Sequence, residues 1–137
     1  MCPSLGLALR MALLGAFPTP GAFRRLPNVP SPLLYGDIIY LVKDGGIVTS
    51  LNKHTGEVLK QGRLREAMDR YFASPVGADG KVFMASEPGV VSMLRHGNPW
   101  EVLATNKLDG ECHATPVIMD GKLYVRTSKA LYCFGKN

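Results

Sequence analysis

One short phrase occurs three times in this chain of 137 residues. The copies are SPLLYGDIIY at 31–40, SPVGADGKVF at 74–83 and TPVIMDGKLY at 115–124. Their prolines, Pro32, Pro75 and Pro116, are separated by 43 and 41 residues. A repeat of this length is one supersecondary unit that buries its faces only against neighbouring units. The chain is therefore predicted to stack about three such units.

Each copy has the pattern of a β-hairpin. Aspartate and glycine lie side by side between two apolar runs, and such pairs favour tight turns because glycine accepts a positive φ. The turns are Gly36-Asp37, Asp79-Gly80 and Asp120-Gly121. The strands that follow end on Tyr40, Phe83 and Tyr124. The turn chemistry explains the three aspartates without a metal site.

Further turns and apolar strands complete the unit. Third strands are predicted at 47–51, 90–94 and 130–134, and fourth strands at 57–61 and 100–105. Four short antiparallel strands in about 42 residues correspond to one blade of a β-propeller. A helical solenoid is excluded because glycine and proline punctuate the chain too often. Within the repeats, only the segment 62–72 has a helical spacing, and a loop fits it equally well.

The predicted fold class is all-β, a partial β-propeller of about three four-stranded antiparallel blades. The blades are expected at about 31–64, 74–108 and 115–137, and the last one lacks its fourth strand. A closed propeller needs about four blades at least. Three explanations fit: a fragment of a longer propeller protein, which we favour, a ring of several copies, or an N-terminal segment that covers the first blade.

Residues 1–27 do not belong to the repeat, which is predicted to span 28–137. They form an apolar segment and a proline-rich linker, and leucines spaced by four residues predict a short helix that packs on the rest. No basic residue precedes the apolar run, as a secretory signal would require. The run is also short for a membrane span, so membrane association is left open.

Charge and cysteine content exclude some functions. The chain has 16 Lys and Arg against 11 Asp and Glu, but the basic residues are scattered and form no stripe, so no nucleic-acid partner is expected. Cys2, Cys112 and Cys133 lack the spacing of a metal site or a redox motif. Cys133 alternates with apolar residues and is predicted to be a small core residue.

The segments at 45–64 and 74–86 resemble the pyrroloquinoline quinone (PQQ)-like β-propeller repeat. The most specific match is LNKHTGEVL at 51–59, and the resemblance covers about 28–137. This family contains PQQ- and calcium-dependent quinoprotein dehydrogenases, cofactor-free scaffolds such as the BamB lipoprotein of outer-membrane assembly, and sensor domains attached to kinases. The resemblance implies a periplasmic or envelope location in bacteria, or a cytoplasmic one if residues 1–25 are not a signal.

The chain lacks features that the dehydrogenase members need. Calcium must be held by several oxygen ligands, and the resemblance adds adjacent cysteines and a tryptophan around PQQ. No Cys-Cys pair is present, the single Trp100 opens a fourth strand, and Lys60 replaces the repeat's usual docking tryptophan. The prediction is a non-enzymatic, cofactor-free binding or scaffolding module. The alternatives are a quinoprotein dehydrogenase fragment and a ligand-binding sensor domain.

Binding is expected in two kinds of place. Exposed blade faces and strand edges suit a protein partner or self-association. The residues before the innermost strands of blades two and three should face one mouth of the central funnel, and the candidates are Asp69, Arg70, Tyr71, Phe72, Glu111 and His113. His54 and His96 lie in third turns and are predicted to be solvated, whereas Trp100 is predicted to pack between blades.

Overall fold

A computed structural model describes residues 29–135, which form eleven strands and no helix. The strands are β1 (Leu33–Tyr35), β2 (Ile38–Lys43), β3 (Ile47–Asn52), β4 (Val58–Arg63), β5 (Val76–Ala78), β6 (Lys81–Ala85), β7 (Val90–Arg95), β8 (Glu101–Lys107), β9 (Val117–Met119), β10 (Lys122–Arg126) and β11 (Leu131–Gly135). Within this range nothing resembles a helix that could cross a membrane. The helix predicted in the first segment lies outside the described residues.

The strands form three antiparallel sheets, which confirms the predicted partial propeller. Blade one has the order β1-β2-β3-β4, blade two β5-β6-β7-β8, and blade three β9-β10-β11. The third and fourth strands of blades one and two share a register shift at the same place, after Ser50 and after Met93. The first strands are neighbours, β1 beside β5 and β5 beside β9, so the blades stack around their innermost strands.

The repeated Asp-Gly pairs form the predicted hairpin turns. Asp79 and Gly80 have φ values of 54° and 70°, and Asp120 and Gly121 have 53° and 73°. Positive φ at both central residues is the geometry that suits a two-residue hairpin, because its twist matches that of the strands. The turns therefore fix the register of β5 with β6 and of β9 with β10.

Blade two is buried on both faces. Along β6, Val82 and Met84 face blade one, whereas Phe83 and Ala85 face blade three, as strand alternation requires. The core between blades one and two contains Ile38, Tyr40, Val42, Val48, Leu64, Ala67, Tyr71, Val82, Met84, Val90, Leu94 and Trp100. The smaller core between blades two and three contains Ala73, Ala85, Val91, Leu108, Cys112, Leu123 and Val125.

The hydroxyl residue before each repeated proline joins neighbouring blades. The Ser31 N–H donates to Oγ of Ser74 at 2.8 Å, and the Ser74 N–H donates to Oγ1 of Thr115 at 3.0 Å. The Ser or Thr of the repeated phrase thus has a structural role of its own, separate from the turn that follows it. A hydroxyl at this position ties the innermost strand of one blade to that of the next.

The segment 62–72 contains the end of β4 and the loop that follows it, not a helix. Leu64 is buried whereas Met68 is 54% exposed, so the four-residue spacing does not produce one apolar face. The Leu64 N–H donates to the Gly46 carbonyl, and the Asp69 carbonyl accepts from the Gly45 N–H, both at 2.8 Å. The Leu64 N–H and the Asp69 carbonyl are thus bonded to the β2–β3 turn and not within a helix.

The prediction that Cys133 is a core residue is wrong. Cys112 is buried between blades two and three, but Cys133 lies on β11 and is exposed. Cys133 pairs with Tyr124, and Tyr124 pairs with Val117, so these side chains share the face of blade three that points away from blade two. None of the described strands covers that face, and its apolar residues therefore stay exposed.

Candidate functional site

The loops that lead into blades two and three are held between neighbouring hairpin turns. We call them linker one (64–75) and linker two (108–116). Backbone hydrogen bonds join linker one to the turns 43–46 and 86–89, and linker two to the turns 86–89 and 127–130. Both linkers therefore lie along the same edge of the blade stack.

Linker one carries four of the predicted binding residues, and Tyr71 is the one that is buried. Tyr71 is only 1% exposed, its hydroxyl donates to the Ala67 carbonyl at 2.7 Å, and burial raises the pKa of this hydroxyl. Asp69 is half-buried. Arg70 is exposed, and its guanidinium carbon lies 5.4 Å from the centre of the half-buried Phe72 ring. A ligand at this edge would meet Arg70 and Phe72 but not Tyr71.

Linker two brings its two candidates together with a glutamate that the sequence analysis missed. The ring centres of His113 and Phe72 are 5.1 Å apart. Nε2 of His113 lies 3.6 Å from Oε1 of Glu87 and 4.0 Å from Oε2 of Glu111. Glu87 is in the turn 86–89. Its position is 43 residues after Asp44, and this repeat spacing is the signal that could have found it.

His96 extends from the β7–β8 turn of blade two into blade one. Its ring stacks on Tyr35 with 4.3 Å between centroids, and its Nδ1 is hydrogen-bonded to the Tyr40 hydroxyl at 2.7 Å. The Gly97 N–H donates to the same hydroxyl at 3.1 Å. The prediction that His96 is solvated is wrong because its turn reaches across the interface, whereas His54 is exposed as predicted.

Trp100 packs between blades one and two, as predicted. The residue is 3% exposed, and its indole lies so close to Gly62 of β4 that a Cβ atom there would come within 2.9 Å of it. Nζ of Lys60 donates to the Trp100 carbonyl at 2.7 Å and lies 4.1 Å from the ring centre. The residue before a fourth strand thus fills the outer part of the preceding interface.

A cleft lies between blades two and three at the place that His96 fills between blades one and two. His96 touches Tyr35, Gly36 and Tyr40. The residues at the same positions of blade two are Ala78, Asp79 and Phe83, and all three line an open cavity of about 460 Å³. The rest of its wall consists of apolar side chains, glycines and three charged residues: Met93, Ile118, Leu123, Phe134, Gly121, Gly135, Lys81, Asp120 and Lys122. The smaller Ala78 and the lack of a described counterpart of His96 leave this space open.

Beside this cleft, β11 has an edge that no described strand pairs with. In blades one and two the equivalent strands pair with β4 and β8, but β11 pairs only with β10. The segment 131–135 has no charged residue, and Leu131 is 68% exposed. The outer strands β4 and β8 carry lysine with arginine or glutamate, and such charges discourage further pairing. The edge of β11 has no such protection.

Comparison with known proteins identifies the family. A family model described as outer membrane protein assembly factor BamB matches residues 19–136. No curated protein matches the chain.

Solved structures share the fold. BamB from Moraxella catarrhalis has a TM-score of 0.61 and 18% identity, covering 75% of this chain and 30% of that one. A quinohemoprotein alcohol dehydrogenase from Pseudomonas putida HK5 has a TM-score of 0.61 and 12% identity, covering 71% and 16%. A europium-containing methanol dehydrogenase has a TM-score of 0.58 and 20% identity, covering 73% and 20%.

This chain thus spans 30% or less of these structures. At such identities the likeness concerns the fold alone, and it includes both BamB and dehydrogenases. The sequence match covers most of the chain and all three blades. The chain therefore belongs to the family described as outer membrane protein assembly factor BamB.

Proposed function

We propose that this chain is a non-enzymatic protein-binding scaffold, and that a partner protein adds a strand along β11 to complete blade three. The observation that carries this proposal is the edge of β11, which carries no charge and pairs with no described strand, beside the open cleft. Strand addition gives affinity through main-chain hydrogen bonds and specificity through side-chain pockets. Here β11 offers the edge and the cleft offers the pocket.

The complete interface between blades one and two indicates what the partner segment looks like. There, residues 96–107 supply three parts of the interface. His96 fills the space against blade one, Trp100 fills the outer part of the interface, and β8 is the fourth strand. A partner segment for blade three is therefore expected to carry one or two rings followed by a short strand. Burying a large aromatic side chain at such a place dominates the energetics of many interfaces.

The tryptophan and the cysteines of the described part of the chain do not fit a PQQ site. The single tryptophan, Trp100, is wedged against Gly62 and Lys60, so it cannot stack on a quinone in the funnel. Cys112 and Cys133 lie on different elements and are both free. The proposal accordingly includes no catalytic step, no PQQ and no calcium, and calorimetry with PQQ plus calcium is expected to give no binding signal.

The proposed location is the bacterial cell envelope. The support is the family description, which names an outer membrane protein assembly factor, and the likeness to BamB. Fractionation of cells that express the natural protein tests this location. Recovery with the envelope is expected, and recovery with the cytosol would contradict it.

A peptide from the chain itself is the sharpest probe of the β11 edge. A fluorescent peptide with residues 96–107, HGNPWEVLATNK, should bind the chain in an anisotropy titration, because it carries the rings and the strand that complete blade two. The same peptide with Trp100→Ala should bind at least about tenfold more weakly, which corresponds to about 1.4 kcal/mol. Equal binding of both peptides, or of neither, would contradict the proposal.

Two matched variants of the chain locate the binding site. Leu131→Lys puts a charge on the edge of β11 and should abolish peptide binding. Leu34→Lys changes a residue of similar exposure, 58% against 68%, on the innermost strand of blade one and should leave binding unchanged. Equal loss in both variants would mean that the peptide does not bind at β11.

Two explanations compete with a partner protein: a further segment of a longer propeller protein, which the sequence favours, and self-association. Light scattering of the purified chain is expected to show no discrete dimer or trimer in the absence of a partner. A stable closed oligomer, dissociated by Leu131→Lys, would identify a second copy as the occupant of blade three and would overturn the partner proposal.

A further inference from the structure

We infer that Glu87, Glu111 and His113 form a binding site for a divalent transition-metal ion between blades two and three. One ligand atom from each residue lies within 4.8 Å of the other two, and His113 Nε2 is 3.6 Å and 4.0 Å from the glutamate oxygens. A tetrahedral Zn²⁺ site with ligand bonds of about 2.1 Å holds its ligand atoms roughly 3.4 Å apart. Small side-chain rotations therefore bring the three atoms to coordination distance.

The donor set selects the class of ion. One imidazole nitrogen and two carboxylate oxygens suit Zn²⁺ and its first-row neighbours, since imidazole is a typical ligand of these metals. Calcium takes six to eight oxygen ligands, and magnesium demands a nearly ideal octahedron of oxygens. Two carboxylates also supply the two negative charges that balance a divalent ion.

Backbone hydrogen bonds hold Glu87 and Glu111 in place. The Glu87 N–H donates to the Arg70 carbonyl, and the Glu87 carbonyl accepts from the Cys112 N–H, both at 2.8 Å. The Glu111 N–H donates to Oγ of Ser128 at 2.9 Å. His113 follows the buried Cys112. Main-chain bonds between blades thus preorganise a site whose side chains reach the solvent.

The equivalent junction between blades one and two serves as an internal comparison. Asp44, Arg70 and Phe72 stand at the positions that correspond to Glu87, Glu111 and His113. There the Oδ1 atom of Asp44 accepts from the N–H of Tyr71 at 2.9 Å, so this carboxylate has a structural role. At the second junction the backbone carbonyl of Glu87 accepts the equivalent N–H, which leaves its carboxylate free to coordinate. At the first junction, Arg70 and Phe72 stand where the second junction has the ligands Glu111 and His113.

There is room for further ligands beside the cluster. A cavity of about 280 Å³ adjoins His113 and Glu111, with Arg126 and Ser128 also in its wall. The nearby Lys129 is paired with Asp109 at 3.2 Å, so its charge is partly compensated. The cavity suits water, or an anionic group near Arg126, as the remaining ligand of the ion.

Calorimetric titration of the full chain with ZnCl₂ tests this site. We expect one zinc ion per chain, and His113→Gln and Glu87→Gln should each weaken binding at least about tenfold, because each removes one of three ligands. His54→Gln is the matched control. His54 also lies near a carboxylate, with Nε2 3.8 Å from Asp37, but Lys53 occupies the same carboxylate at 3.2 Å, so zinc binding should not change.

Each other outcome would overturn the inference. The site is refuted if wild-type chain takes up no zinc, or if His113→Gln binds as tightly as His54→Gln does. A millimolar excess of calcium or magnesium should not displace zinc, and displacement would refute the assignment to transition metals. Circular dichroism of each variant shows whether the blades remain folded. Glu111→Gln replaces a third ligand, whose exposed side chain has no packing role.

Discussion

The two interfaces between blades differ in how completely they are filled. Between blades one and two, apolar contacts run from the innermost strands to the outer strand, where Trp100 covers Gly62. Between blades two and three the inner part is packed in the same way, but the outer part opens into the cleft. The difference lies in one segment of blade two, residues 96–107, which has no described counterpart in blade three.

The comparison shows that a blade of this kind completes the interface on the side of the preceding blade. His96 and Trp100 belong to blade two, yet they contact Tyr40 and Gly62 of blade one. Among the described residues, blade three has no segment that corresponds to 96–107, and the interface between blades two and three is open at that place. Four experiments test this difference, in order of decreasing expected effect.

Removal of the Trp100 ring should give the largest loss of stability. Trp100→Ala is expected to lower the free energy of unfolding by about 3–5 kcal/mol, which is the range for replacing a buried large aromatic side chain with alanine. Phe134→Ala, on the open side of the other interface and 39% exposed, should cost about 1 kcal/mol or less. Urea unfolding measures both, and equal losses would mean that the two interfaces are not different in the way described.

A methyl group at Gly77 should disturb the inner part of the complete interface. The added Cβ of Gly77→Ala would overlap the Tyr35 ring, and overpacking of this kind costs about 1–3 kcal/mol. Tyr35→Ala removes the obstacle, so in a double-mutant cycle the two changes should be far from additive. Additive effects would show that the ring and the glycine do not meet in solution.

Loss of the Tyr40 hydroxyl should have a smaller effect. Tyr40→Phe removes the bonds from the hydroxyl to His96 and to the Gly97 N–H, and a loss of about 1 kcal/mol is expected. Tyr124 occupies the equivalent position of blade three, on its uncovered face, and Tyr124→Phe should change stability by less than about 0.5 kcal/mol. A larger effect in Tyr124→Phe would show that the face of blade three is covered.

Thiol reactivity should separate the two cysteines without a change in stability. In a Cys2→Ser chain at pH 8, Cys133 should react with Ellman's reagent readily, whereas Cys112 should react at least about tenfold more slowly. Cys112 is buried and burial raises the pKa of its thiol, so both access and the thiolate fraction are reduced. Similar rates for the two thiols would contradict the packing between blades two and three.

The blades themselves were predictable because their turns are encoded by adjacent residues. Asp79 and Gly80 adopt positive φ values, which glycine accepts freely and aspartate tolerates, and the apolar runs on either side alternate as strands do. The same local chemistry recurs three times, so a pattern of consecutive residues is enough to place the hairpins. The Ser/Thr at the start of each phrase also proved to be a contact between blades.

Contacts between distant segments were not predictable in this way. His96 and Tyr40 are 56 residues apart, and no local pattern tells a solvated turn from one that reaches the next blade. The prediction that Cys133 is buried was wrong for the same reason, because an alternating strand is buried only where a neighbour covers it. Glu87 escaped notice since its turn resembles an ordinary solvated loop until it is aligned with Asp44.

Amide hydrogen exchange of β11 with the 96–107 peptide tests the strand-accepting edge most directly. The wild-type peptide should slow exchange throughout Leu131–Gly135, because the incoming strand pairs with backbone groups that now face water. Its Trp100→Ala counterpart should give much less protection at the same concentration. Unchanged exchange in β11, with protection by the peptide elsewhere on the chain, would contradict the claim that blade three is completed by a partner strand.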